Sequence, residues 1–184
     1  MKAYKPLSLF AIAVFAILVW SCERDDICSE NTVTTPRLVI DFYNIANPDE
    51  EKAVSSLRVI GLDDEGLAID TLNLEEGPNP SRIKLPLRFQ EAGTLTVTRY
   101  LLEKDANLAS DDNPNTSSNA DLIEIRYTPE FIYVSRACGY KSIFQFGFNG
   151  SVLEQTDEDN WIISTEQLIQ TVDNEDEVHY ILYH

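Results

Sequence analysis

RIKLPLRF, residues 82–89, decides the fold class. Ile83, Leu85, Leu87 and Phe89 alternate with Arg82, Lys84, Pro86 and Arg88. One apolar side chain every second residue is the period of a strand with one face buried, and the basic residues between them mark the other face as wet. Pro86 has no N–H to give a ladder, so it points to an edge or a bulge.

The same alternation runs through RLVIDFY (37–43), SLRVIGL (56–62), TLTVTRYLL (94–102), DLIEIRYT (121–128), FIYVSR (131–136), SIFQFGF (142–148) and EVHYILY (177–183). Gly, Pro, Asn and Asp clusters separate these runs: NPDEE, DDEG, EEGPNPS, DDNPNTSSN, TPE, GYK, NGS and DNED. Short strands punctuated in this way predict an all-β chain folded as a single antiparallel β-sandwich, immunoglobulin-like or related, with about eight to ten strands. In WIISTEQLIQTV (161–172) Ser164 and Gln167 have the types that cap a helix, but β-branched residues and the following DNED favour a C-terminal hairpin.

Charge narrows the partners. With 31 acidic and 14 basic residues, the 184-residue chain carries a net charge of −17. Such a surface repels phosphate backbones and anionic headgroups, which argues against nucleic acid or peripheral membrane adsorption as the partner. Lys2 and Lys5 precede LSLFAIAVFAILVW (7–20), an apolar run closed by Ser21 and Cys22. The run is shorter than the ~20 residues a membrane-spanning helix needs, and it has the length of a signal-peptide core. Val19, Trp20, Ser21 and Cys22 resemble the lipobox of bacterial lipoproteins, in which cleavage before the cysteine leaves it as the lipidated N-terminus. Trp20 departs from that pattern by its bulk. The thiol is required because the acylated glycerol attaches as a thioether, and two or three acyl chains, at ~0.8 kcal/mol per buried methylene, give lasting anchorage.

The sequence thus divides into a cleaved lipoprotein signal peptide (1–21), a lipidated acidic tether (22–36) and a β-sandwich domain (37–184). Glu23, Arg24, Asp25 and Asp26 read either as an acidic export signal for display on the outer face of the outer membrane or as a solvated tether. Cys28 and Cys138 remain once Cys22 is assigned to lipid. In an oxidising compartment an even pair points to a disulfide ahead of free thiols or a metal site, and with His179 and His184 far from both cysteines and no C-x-x-C, zinc has little support.

YVSRACGYKSIFQFGF (133–148), taken with CERDDICSENTVTTPRLVIDFYN (22–44), resembles an uncharacterised family of Bacteroidetes lipoproteins of unknown function, DUF6452. The resemblance extends over essentially the whole chain after Cys22. It implies location, anchoring and a β-rich body, and it brings no activity.

Catalytic chemistry has few carriers. A hydrolytic triad needs a base beside a nucleophile. Of the two histidines, His184 is expected to be frayed and His179 to be a surface or satisfied strand residue. Asp111, Asn113 and Asn115 have EF-hand spacing, but Thr116 stands where glycine is needed and Leu122 where a bidentate glutamate is needed. Carboxylates of DDNPN (111–115), TDEDN (156–160) and DNEDE (173–177) would bind calcium only if those loops converge. Tyr140, Phe144, Phe146, Phe148, Tyr127, Tyr133 and Trp161 are core candidates, with Trp161 and Tyr140, at turn borders, the ones expected at the surface. The sequence therefore predicts a non-enzymatic lipoprotein without cofactor or metal, anchored in the outer membrane on its cell-surface or periplasmic face. It would act as an accessory or interaction module beside an integral barrel protein, and the alternative is a glycan- or calcium-binding surface lipoprotein.

Overall fold

The computed structural model describes residues 27–28, 35–108, 117–147, 152–155 and 159–184. Among these residues every regular element is a strand. In chain order they are β1 (Leu38–Asn44), β2 (Asn47–Glu51), β3 (Arg58–Leu62), β4 (Ala68–Thr71), β5 (Arg82–Leu85), β6 (Thr96–Lys104), β7 (Asn119–Ser135), β8 (Gly139–Gln145), β9 (Val152–Gln155), β10 (Ser164–Gln167), β11 (Thr171–Val172) and β12 (Tyr180–Tyr183). The chain forms a larger unit, Val33–Ile132 with Lys141–His184, and a smaller one that joins the N-terminal stretch to Tyr133–Tyr140.

Two sheets result. The first runs β10-β12-β1-β2, with β5 also on β1; the second runs β11-β8-β7-β6-β3-β4, with β9 also on β7. Of the pairings of β1 with β2, with β5 and with β12, and those of β10 with β12, β11 with β8, β3 with β4, β3 with β6, β6 with β7 and β7 with β9, all are antiparallel save that of β1 with β12, which is parallel and sets Ile40 beside Tyr180 and Phe42 beside Leu182. That parallel pair departs from the wholly antiparallel expectation. Its cause is long-range: β1 is flanked by β5 and β2 on one edge, so its other edge is open to a strand arriving late in the chain. Leu38 to Phe42 are all buried.

The predicted alternation holds in β5. Ile83 and Leu85 are buried, while Arg82 and Lys84 keep to the wet face. Leu38, Ile40, Phe42, Tyr180 and Leu182 from the first sheet join Val59, Leu102, Ile123, Ile125, Tyr127 and Phe144 from the second in one hydrophobic core. Each such side chain contributes about 1.5–3 kcal/mol by leaving water. On the outer faces, ion pairs sit at directly opposed register positions: Asp41 with Arg82, Glu103 with Arg58, and Glu124 with Arg99. The buried Asp41 carboxylate takes two bonds from Arg82, at 2.6 and 2.7 Å, so the guanidinium stem covers what would otherwise be an unpaired charge.

Several local expectations are overturned. RIKLPLRF does not run as one strand; β5 stops at Leu85, and Phe89 is exposed against Phe131, their ring centroids 4.3 Å apart. Pro86 ends the ladder, and buried hydroxyls hold the segment after Leu85: Tyr100 donates to the Pro86 carbonyl and Tyr127 to the Arg88 carbonyl, at 2.6 Å for the latter. Burial pushes the Tyr127 phenol up to about 12, so it stays a donor at any ordinary pH. TPE (128–130) does not break the chain, because β7 continues through it. The predicted C-terminal hairpin holds in part: β10 pairs antiparallel with the final strand β12, while β11, which lies between them in the chain, pairs with β8 in the other sheet.

Candidate functional site

Three clamps hold the chain where it enters the larger unit. The Thr35 hydroxyl accepts the Ser142 N–H at 3.1 Å. Arg37 then grips Glu175: its backbone N–H and Nε donate to Oε1, both at 2.9 Å, and a terminal nitrogen donates to Oε2 at 2.9 Å. Its other terminal nitrogen reaches Glu75 at 2.8 Å, and Lys84 closes on Glu175 at 3.1 Å. The Arg37 guanidinium, chiefly, holds the Glu175 carboxyl down at about 2. Two residues later the Val39 N–H donates to His179 Nδ1 at 3.0 Å, while the His179 N–H donates to the Val39 carbonyl at 3.0 Å.

His179 is fully buried, which corrects the surface option, and only half satisfied, because Nε2 has no hydrogen-bond partner among the described residues. The bond from Val39 requires a lone pair on Nδ1, so the neutral ring carries its proton on Nε2. Burial lowers the affinity of His179 for a second proton, against the opposing pull of Asp173 and Glu177. His184 is not frayed. It is buried edge-on to the rings of Trp161 and Phe42, with Nε2 3.1 Å from the Lys52 carbonyl oxygen, and burial lowers its proton affinity too.

The smaller unit has a different design. β7 turns into β8 through Arg136–Cys138, and Gly139 sits at φ 69°, a left-handed backbone that side chains resist. The Cys138 N–H is taken by the Ser135 hydroxyl at 3.0 Å. The sulfurs of Cys28 and Cys138 stand at bonding distance, 2.05 Å, across a sequence separation of 110 residues. Beside them Tyr133 and Tyr140 meet edge to face, centroids 5.4 Å apart, and both remain exposed, at 55% and 68%.

Cys22 and the segment Glu23, Arg24, Asp25 and Asp26 lie outside the described residues, as do Asp111, Asn113, Asn115, Thr116 and Phe148. TDEDN is described only at Asp159 and Asn160. In DNEDE, Glu175 is taken by two cations, and Asn174 Oδ1 accepts the N–H groups of Asp176 and Glu177. Among the described residues no three His, Cys, Asp or Glu side chains are disposed around a metal position. Of the two aromatics expected at the surface, Tyr140 is there and Trp161 is buried, its indole N–H donated to the Leu102 carbonyl at 3.0 Å. Arg37, Glu175 and Val39 escape a sequence reading, because nothing in their local pattern announces partners some 140 positions away.

No curated protein and no solved structure matches this chain. The model of a family of unknown function, DUF6452, matches residues 56–184, so its match begins after the cysteine-led stretch and stops short of the whole-chain likeness expected. With most of its length in that match, the chain belongs to the DUF6452 family.

Proposed function

We propose that this chain is an outer-membrane lipoprotein of the Bacteroidetes type, held by acyl chains on Cys22 and acting without catalysis as an accessory or interaction module of the cell envelope. One observation carries the reading. An apolar leader ends at Cys22, and six residues later Cys28 stands at bonding distance from Cys138, so the chain beyond the anchor is stapled to folded structure almost at once. A tether under load then pulls on a covalent bond, and behind it on the Arg37 and Val39 clamps. A sandwich body with an integral barrel protein as its neighbour completes the proposal.

Affinity purification of the tagged protein from gently solubilised membranes tests it. A stoichiometric membrane partner, lost when Cys22→Ser releases the chain, supports the accessory role. Recovery of the protein alone, with turnover of an envelope substrate, contradicts it.

A second reading, capture of a glycan, is favoured by the exposed Tyr133–Tyr140 pair, since stacked sugars need accessible rings. Titration with envelope and dietary glycans distinguishes it: heat that disappears in Tyr140→Ala supports capture, and no heat with any of them removes it.

A further inference from the structure

Granted the proposed anchor on Cys22, we infer that the hairpin tip Tyr133–Tyr140 is a lipid-docking surface, seated at the headgroup interface of the membrane that holds the acyl chains. The first argument is reach. Six residues separate Cys22 from Cys28, and a fully extended chain covers at most ~3.6 Å per residue, so Cys28 stays within ~20 Å of the lipidated residue. Its bond to Cys138 holds the tip on the same leash.

The second argument is chemistry. Tyr140, Tyr133 and Ile27 are exposed, at 68%, 55% and 84%. A tyrosine presents an apolar ring and a polar hydroxyl, and the headgroup region is where both ends find their medium.

Arg136, the one charged residue of Tyr133–Tyr140, is exposed in the turn and suits a phosphate headgroup. A sugar platform makes no use of the short leash.

The experiment uses the mature acylated protein, as parent and as Tyr140→Trp, bound to phosphatidylethanolamine–phosphatidylglycerol vesicles with or without lipids brominated near the headgroup. Trp161 is buried and serves as the internal reference, and Trp20 lies in the leader. The expected result is a blue shift and a several-fold loss of the added indole's emission with brominated lipid, with parental emission unchanged. In Cys28→Ser with Cys138→Ser, which frees the tip, that quenching should weaken. Protein that co-floats with vesicles but shows no quenching in Tyr140→Trp overturns the lipid-docking surface and leaves the anchor standing. Protein that does not co-float overturns the anchor and the inference with it. Emission that answers to a glycan and not to brominated lipid assigns the tip to sugar instead.

Discussion

Val39 and His179 exchange two hydrogen bonds, one between backbones and one from the Val39 N–H to the histidine ring, both at 3.0 Å. A ring nitrogen thereby does the work of a carbonyl at the point where β12 comes alongside β1. The bond exists only while Nδ1 is unprotonated.

Stability should therefore fall on mild acidification. His179 and His184 both sit below their ordinary value because they are buried, so as pH drops through about 6.5 the unfolded chain takes up protons first. The contribution is fully present above that pH and is lost below it. Urea midpoints measured from pH 7.5 to 5 should decline, and His179→Asn, whose side-chain oxygen can accept from Val39, should show a shallower decline. An identical slope in that variant would remove His179 from the explanation.

The Arg37–Glu175 grip acts in a lower window. Glu175 is held at about 2 against an ordinary 4.5, so its contribution persists down to about pH 4.5 and fades as pH falls toward 2. Glu175→Gln should lower stability by about 1–2 kcal/mol at neutral pH, a charge-assisted bond discounted for partial exposure. Chemical denaturation of the two proteins checks this, and the difference between them should shrink at pH 3.

Gly139 is constrained by backbone conformation alone. A methyl group added there meets nothing within 4 Å, but φ of 69° strains any side chain. Gly139→Ala should cost about 1 kcal/mol, and Gly147→Ala, outside the left-handed region, should cost less. Thermal melts of both variants measure the contrast.

Joining Cys28 to Cys138 across 110 residues restricts the unfolded chain strongly. In the chain-entropy model a loop of that size is worth up to ~4–5 kcal/mol. Reduction with dithiothreitol should lower the melting temperature, and Cys28→Ser should reproduce the loss and be insensitive to reductant.

How much of this is legible in the sequence differs by residue. The burial of Ile83 and Leu85 follows from period-two patterning, because the pleat imposes it locally. The passage of β7 through Thr128–Glu130 does not. The β6 ladder ends at Thr96 opposite Tyr127, so Pro129 needs no N–H there, and its carbonyl still accepts from Gly93 at 2.9 Å. Trp161 has the local setting of a turn-border ring, and it is buried because the Leu102 carbonyl, 59 residues away in sequence, can satisfy its indole. The parallel placement of β12 and the unpartnered nitrogen of His179 likewise depend on pairings that no short window contains. The cysteine pair can be read from the count, because with Cys22 set apart at the end of the apolar run two cysteines remain, and these two stand at bonding distance.

The most direct test is the intact mass of the native protein extracted from membranes, before and after reduction. The expected mass is that of a chain beginning at Cys22 with diacylglycerol and further acylation, gaining two hydrogens on reduction. A chain that retains residues 1–21, begins elsewhere without lipid, or gains nothing on reduction would contradict an anchored and stapled protein.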